Sequence, residues 1–283
     1  MIRIKCPACN SGATFFSFKK DGYAILQCTI CGTMFVKNIP SAEVLSDIYN
    51  NSGYYDLEKE PAERIRREAR RRLKILNRWK SNCTYFEIGC ARGLQLDVAQ
   101  KKGFTTYGIE LSKENVMICQ DKGHRVICGY LEDALDMKPM EGFQVISCLD
   151  VIEHVPDPIS FLKLATSMLS EDGVFILSTP NYSGIIAKVL KKKDPYMTPP
   201  EHLNFFSLQG IRNLCKQVGL RMMLRTTFGS LTSDEKERVV GKYLPAQLHP
   251  FAEPLIPLLP GAMKILNVLK IGMEQEFYLV KNQ

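Results

Sequence analysis

Two cysteine pairs, one run of small residues and a scattered set of acids and histidines hold most of the chemistry available to this sequence. Cys6-Pro-Ala-Cys9 and Cys28-Thr-Ile-Cys31 are separated by eighteen residues. Two CxxC pairs at such a spacing can present four thiolates to one tetrahedral ion, and the ion such a set suits is zinc. With all four positions filled by protein, no place remains for a reacting water, so this zinc would be structural. The competing reading is a redox-active dithiol, which a reducing compartment and the paired spacing disfavour. Gly32, directly after Cys31, suits the backbone of a tight metal-binding turn.

A second constellation begins at Glu87-Ile88-Gly89-Cys90-Ala91-Arg92-Gly93, where an apolar strand-like run gives way to a turn of small residues. Gly89 and Gly93 would let the backbone approach a ligand closely. Glu110 stands 23 residues after Glu87 at the end of the next strand-like run, where an acid can accept hydrogen bonds from ribose hydroxyls. Leu131-Glu132-Asp133 follows a third run and places a carboxylate where it can accept from a base amino group. The fourth run ends in Ser147-Cys148-Leu149-Asp150 and is followed by Glu153-His154. Histidine titrates near neutrality, so His154 is a candidate base, although a hydrogen-bonded structural histidine is the simpler role. His202, in Pro199-Pro200-Glu201-His202-Leu203-Asn204-Phe205-Phe206, is the better candidate, with a structural role beside the apolar Phe205 and Phe206 as its alternative.

The elements that must position these residues follow from periodicity and punctuation. Residues 14–18 and 23–27 read as strands joined through Asp21-Gly22, a strong hairpin signal. Some 40 residues bury too little surface to fold alone, and a metal would supply the missing stability. Residues 1–38 are therefore expected to form a zinc ribbon. Residues 39–82 read as a helical linker: Ser41 caps a short helix reaching Tyr49, and Pro61 opens a long one. In that long helix Ile65, Ala69, Leu73, Leu76 and Trp79 recur at helical intervals, and its many arginines and lysines, from Arg64 to Lys80, are expected on a basic outer face. From residue 83 to 283 strands alternate with helices, with Gly103 and Gly123 as helix stops and Asp157-Pro158 and Ser207 as helix starts. Such alternation implies a doubly wound α/β fold with a largely parallel sheet. Within a C-terminal cap region of about 230–272, the apolar stretch 245–269 is broken by Pro250, Pro254, Pro257 and Pro260. That stretch reads first as internal packing, with a cap over the acceptor pocket or contact with a lipid surface as alternatives.

With these motifs in order, the sequence resembles the class I S-adenosylmethionine-dependent methyltransferases, which have a Rossmann-like sheet, over roughly residues 84–226. The motifs that carry the likeness are Glu87–Gly93, Gly108-Ile109-Glu110-Leu111-Ser112, Leu131-Glu132-Asp133 and Val151-Ile152-Glu153-His154-Val155-Pro156-Asp157-Pro158. The resemblance implies that Gly89, Ala91 and Gly93 border the methionine end of the cofactor and that Glu87 is linked to its ammonium. It further implies that Glu110 and Leu111 flank the ribose, that Glu132 and Asp133 serve the adenine, and that Asp150 lines the cofactor and acceptor pocket. Ala91 departs from the family, which usually has glycine there. The stretch around His202 looks like the His-Leu-x-Phe-Phe segment of members that act on small molecules and sugars. A nicotinamide dinucleotide is the rival cofactor, but Gly89-x-Ala91-x-Gly93 lacks the G-x-G-x-x-G spacing that seats a pyrophosphate.

Composition sets the outer limits. The chain has 283 residues, 45% hydrophobic and 24% charged, which is the profile of a globular protein. It offers no run of about 20 apolar residues for a transmembrane helix and no signal-peptide core at residue 1, so a soluble, cytoplasmic protein is expected. The net charge of +7, from 37 Lys+Arg against 30 Asp+Glu, favours an anionic partner. The leading expectation is methylation of a small-molecule acceptor, which can be anionic, at a hydroxyl of a sugar, nucleotide sugar or other intermediate. Carbon as the methylated atom stays open. Two alternatives stand beside it: an RNA methyltransferase using the ribbon and the basic helix as an electrostatic footprint, and a non-catalytic zinc-containing interaction module.

Overall fold

A computed structural model describes residues 2–41, 43–45, 62–76, 83–228 and 259–282. The short linker helix beyond Leu45, Pro61, Arg78, Trp79, Lys80 and most of the expected 230–272 cap lie outside the described residues. The N-terminal hairpin forms as its turn dictates: β1 (Thr14–Lys20) and β2 (Tyr23–Cys28) pair antiparallel, with Asp21 and Gly22 at φ 49° and 84°. Positive φ at both turn residues matches the right-handed twist of the strands, which is why Asp-Gly serves here. β3 (Met34–Val36) adds to β2. The fourth strand of this small antiparallel sheet, β9 (Asn204–Phe205), comes from the other end of the chain and pairs with β3.

The main sheet has seven strands: β4 (Thr84–Ile88), β5 (Thr105–Glu110), β6 (Arg125–Cys128), β7 (Phe143–Leu149), β8 (Leu169–Pro180), β10 (Leu220–Phe228) and β11 (Glu274–Lys281). Their order is β10-β11-β8-β7-β4-β5-β6; β11 runs antiparallel to both its neighbours and the other pairings are parallel. The doubly wound α/β expectation is met. From β4 the chain winds first toward β6 and then, through β7, toward β8, so the crevice above β4 and β7 is the switch point where ligands of such sheets bind.

Alternation along the strands splits the core into two layers. On one face Tyr85, Val145, Ile176 and Tyr278 pack with Leu73 and Leu76 of α1 (Ala62–Leu76) and with Leu96 and Ala99 of α2 (Leu94–Gln100). On the other, Phe86, Ile88, Ile146 and Phe175 meet α4 (Pro158–Met168) and α6 (Leu208–Gln217), with Phe86 stacked on Phe143 at 4.6 Å. Side-chain caps start three helices: Ser112 accepts from the Asn115 amide before α3 (Lys113–Asp121), Asp157 from Ser160, and Ser207 from Gly210. Further on, α5 (Ile185–Leu190) leads into a turn at Lys191–Lys193, and α7 (Leu259–Val268) precedes β11.

The basic helix departs from its expected form. Arg72 is buried, not on an outer face: its Nε donates to the Glu276 carboxylate on β11, and Arg71 donates to the same carboxylate at 3.0 Å. The sequence held a sign of this, since Ile65, Ala69, Arg72 and Leu76 recur at the spacing of one helix stripe.

Candidate functional site

The loop from β4 into α2 needs three left-handed residues in five positions. Gly89, Ala91 and Gly93 have φ of 72°, 45° and 72°. A Cβ at Gly89 would come within 2.8 Å of the Val151 side chain, and one at Gly93 within 2.8 Å of Cys119 Sγ, so the loop is tight as well as left-handed. Ala91 adopts a conformation that costs an L-residue about 1 kcal/mol or more. The Glu110 carboxylate holds it there: one oxygen accepts from the Ala91 amide at 2.9 Å and the other from Ser112 N at 2.9 Å. Ala91→Gly should accordingly raise stability by about 0.5 kcal/mol, after the extra freedom glycine gives the unfolded chain. That corresponds to a melting-temperature rise of roughly 1–2 °C with cofactor affinity undiminished; a scanning-calorimetry decrease would show that the Ala91 methyl makes a contact worth more than the strain.

Below this loop lies a cavity of about 400 Å³ at the β4/β7 switch point, lined among others by Glu87, Gly89, Ala91, Asp150, Glu153, His154, His202 and Glu274. Glu87 is buried, and its Oε2 has no hydrogen-bond partner among the described residues. Burial drives its carboxyl well above the usual range, against the pull of Arg72. A buried acid left incomplete beside a glycine-type loop is chemically matched to an ammonium, whose charge would restore its ionised form. Asp150, at φ 55°, faces the cavity and accepts from Ser178 Oγ at 2.8 Å; desolvation raises its carboxyl in opposition to that bond.

In the same cavity, Glu153 is buried with Oε2 unpartnered among the described residues, and burial together with Asp150 raises its carboxyl well above the ordinary value. His154 Nδ1 donates to the Glu201 carbonyl at 2.8 Å and His202 Nδ1 to the Tyr196 carbonyl at 2.7 Å. Burial lowers His154 to about 4, and burial with the neighbouring His154 lowers His202 to about 3. Both imidazoles are therefore neutral at neutral pH. In His202 the Nδ1 proton leaves Nε2 as the nitrogen able to accept one. The two rings meet edge to face at 4.6 Å, and donor atoms of Glu153, His154 and His202 lie within 4.8 Å of one another. A carboxylate with two imidazoles can hold a divalent cation as well as pass a proton.

Not every expected residue reaches this cavity. Glu110 touches it only through Ala91. Leu111 and Glu132 are exposed, and Asp133 spends one oxygen on the Tyr130 amide at 2.7 Å, capping the turn Leu131–Met137. These three stand at the ends of β5 and β6, outside the cavity wall. Sequence reasoning missed Arg72, Tyr196 and Glu274, which do line it. Glu274 and Glu276, two acids at the start of a strand that continues Phe277-Tyr278-Leu279-Val280, were the available signal; Tyr196 had none.

The four ribbon cysteines converge. Cys6 Sγ lies 3.6 Å from Cys31 Sγ and Cys9 Sγ 3.5 Å from Cys28 Sγ, with all four sulfurs within 4.8 Å. Four bonds of ~2.3 Å to a tetrahedral zinc require sulfurs about 3.8 Å apart, so the set fits that ion. The N-terminal segment that carries these cysteines is sewn into the α/β body: Ser207 Oγ donates to the Cys31 carbonyl, and buried Arg3 donates to Asn204 Oδ1 at 2.7 Å and to the Pro156 carbonyl. Asn204 Nδ2 in turn donates to the Val155 carbonyl at 2.8 Å.

A seven-stranded doubly wound sheet with a glycine-type loop and acids at its switch point defines the class of open α/β proteins that bind ligands in the crevice above the strand ends. A family model described as "Methyltransferase domain" matches residues 60–224, and the chain belongs to that family. It is 31% identical over 98 residues to the ubiquinone biosynthesis O-methyltransferase of Bradyrhizobium diazoefficiens, covering 34% of this chain and 39% of that protein. It is 25% identical over 150 residues to the enzyme of the same name from Actinobacillus pleuropneumoniae, covering 44% and 64%. The chain thus spans less than two thirds of the length of these relatives. In fold it is similar to a SAM-dependent methyltransferase from Archaeoglobus fulgidus, with TM-score 0.54, 16% identity and coverage of 86% and 100%. It is likewise similar to the plantazolicin methyltransferase BpumL in complex with a pentazolic desmethylPZN analog and SAH, with TM-score 0.55, 16% identity and coverage of 85% and 95%. Among the described residues no helix is long and apolar enough to cross a membrane.

Proposed function

We propose that this protein transfers a methyl group from S-adenosylmethionine to a hydroxyl of a small-molecule acceptor. The observation that carries the reading is the buried Glu87 carboxylate, whose Oε2 has no partner among the described residues, in a cavity that also holds the neutral His154 and His202. Glu87 would bind the cofactor's ammonium, Gly89, Ala91 and Gly93 would seat its methionine end, and Glu110 keeps lone pairs for ribose hydroxyls beyond the two amides it accepts from. Leu111, Glu132 and Asp133 would flank the nucleoside beyond the cavity. The sulfonium supplies an activated methyl and its own leaving group, so the residues on the acceptor side have two tasks, alignment and proton removal. His202 Nε2, the unprotonated ring nitrogen, would accept the proton of the acceptor hydroxyl, and Glu153, with a carboxylate oxygen within 4.8 Å of the imidazole, would position the ring. Asp150 and His154 shape the same wall. The O-methyltransferase names of the relatives support a hydroxyl; a sugar or nucleotide sugar remains our reading of the acceptor class.

The domain plan we propose is a zinc ribbon at 1–38, a helical linker at 39–82 and the transferase domain at 83–283, with the ribbon's cysteines Cys6, Cys9, Cys28 and Cys31 holding a structural zinc. Docking of the ribbon and the use of Arg71 and Arg72 in internal pairs favour the small-molecule reading over RNA.

Calorimetry with S-adenosylmethionine, followed by turnover of labelled cofactor against nucleotide sugars, phenols and RNA, tests the proposal. His202→Ala should keep cofactor affinity and lower turnover about a hundredfold, whereas Glu110→Ala should weaken cofactor binding. Normal turnover by His202→Ala removes its role as base; absence of cofactor binding in the wild type removes the transferase.

A further inference from the structure

A second cleft, about 770 Å³ in volume, lies between α1, β10 and α7. It opens beside the cofactor cavity, since Arg64, Glu68 and Phe228 form walls of both. Its character differs sharply from that cavity. Cations reach it from all three elements: Arg67 from α1, Arg225 from β10, Lys264 from α7 and Lys270 just beyond it, while Arg71 on the same wall is held by Glu68 and Glu276. Among the described lining residues Glu68 is the single acid, and it is already bound to Arg71 at 2.7 Å. The Nε of Arg225 is buried with no hydrogen-bond partner among the described residues. Burial, then the nearby Arg212, lowers the Arg225 guanidinium. Ile75, Leu224, Phe228, Met263 and Val268 give the wall an apolar part beside two threonines and Asn267, and Arg71 lies over the Phe228 ring at 5.1 Å.

We infer that this cleft binds the phosphate or diphosphate group of an anionic, partly apolar acceptor whose other end enters the cofactor cavity. The inference deepens the methyltransferase reading and rests on it for the acceptor's role. Guanidinium forks and ammonium groups converging from separate elements match the several oxygens of a phosphate ester, and such charge-assisted bonds are the strong ones. A concave site with an apolar wall suits a small amphiphile better than a polynucleotide, whose backbone needs a long exposed track. Joined cavities also give the anion a use: anchoring a remote group aligns the reacting end.

Calorimetry on the full chain tests this with two probes, S-adenosylmethionine and inorganic pyrophosphate. Lys264 and Lys270 are both exposed, so Lys264→Glu with Lys270→Glu should fold normally. The double variant should bind pyrophosphate about tenfold or more weakly, with cofactor affinity unchanged. Uridine diphosphate binding that depends on the same two lysines assigns a soluble ester. Binding to phosphatidylglycerol vesicles but not phosphatidylcholine vesicles, lost in the double variant, assigns a lipid phosphate; both results support the site. If the cofactor binds while pyrophosphate affinity is absent or equal in wild type and variant, the anion site is wrong and the transferase stands. If single-stranded RNA competes for those lysines and pyrophosphate does not, the small-ester assignment is overturned. If pyrophosphate binding is charge-dependent but the cofactor never binds, the cleft survives and its link to methyl transfer falls.

Discussion

Removing the metal we place at the four cysteines should unfold the ribbon as a unit and take the acceptor-side loop with it. Zinc sites of this type bind with about 10 kcal/mol or more, comparable with the whole stability of a domain. The ribbon cannot make up that loss from its own core. Phe15 and Phe16 on β1 are about half exposed, at 48% and 57%, and the cysteines themselves belong to the buried cluster shared with Phe206, Ile211 and Leu214. The consequences reach the active side through covalent neighbours. β3 pairs with β9, two residues after His202, and Ser207 ties the start of α6 to the Cys31 carbonyl. Val36 N donates to the Leu203 carbonyl at 3.0 Å, while Leu203 N donates to the Glu153 carbonyl at 2.8 Å, so two hydrogen bonds link β3 to Glu153 through the residue next to His202. The expected result is one zinc per chain by elemental analysis. After chelation, amide exchange should become fast across β1, β2, β3 and β9 while β4, β5 and β7 stay protected. Turnover should fall with cofactor affinity largely kept. A chain purified free of zinc with the ribbon amides still protected would refute the site, as would disulfides between the pairs.

Local signals made the framework readable in advance, and long-range ones hid the rest. Asp21-Gly22, Ser207 and Asp157-Pro158 each settle a turn or a helix start through their own backbone, so the elements follow from neighbours in the chain. Likewise Gly89 and Gly93 announce a left-handed loop because few other residues suit one. Ala91 shows the limit: its φ of 45° is enforced by Glu110, a residue from the next strand. β9 is two residues long and has no periodicity to read; it exists because β3 offers an edge. Tyr196 and Glu274 are 78 positions apart and enter one cavity only because β11 inserts antiparallel beside β8. Asp133 was chosen for its place after β6, yet its carboxylate first serves the local turn, a competition common to short acidic side chains. Position along the sheet edge was legible, whereas the direction each acid faces depends on partners that spacing does not reveal.

The same long-range logic makes Arg72→Ala the substitution with the largest expected cost in the α/β body. Glu276 is fully buried and takes bonds from Arg72 Nε, from Arg71 at 3.0 Å and from Tyr278 Oη at 2.7 Å. Burial alone would raise its carboxyl; Arg72 and then Arg71 outweigh burial and hold it below the ordinary range. Truncating Arg72 leaves a buried charge with half its compensation, a loss of about 3–5 kcal/mol at pH 7. It also frees Gln95, which accepts from Arg72 at 3.3 Å and donates to Tyr85 Oη at 2.8 Å beneath the cofactor loop. The pH dependence separates this account from simple loss of packing. In the wild type the depressed Glu276 contributes stability that is fully present above its unfolded value of about 4.3 and is lost as pH falls through the folded value. In Arg72→Ala burial regains the upper hand and lifts the folded carboxyl toward or above its unfolded value, so the acid-side loss from Glu276 should shrink or reverse and the variant's deficit should narrow as pH falls. Urea unfolding between pH 4 and 8 measures both effects. Replacing the pair by Arg72→Met with Glu276→Leu should recover much of the loss at pH 7, since apolar side chains of similar size need no counter-charge. An Arg72→Ala loss below about 1 kcal/mol, or an unchanged acid limb, would mean that Arg71 and Tyr278 satisfy Glu276 on their own and that Arg72 lines the cavity without holding the sheet to the helix.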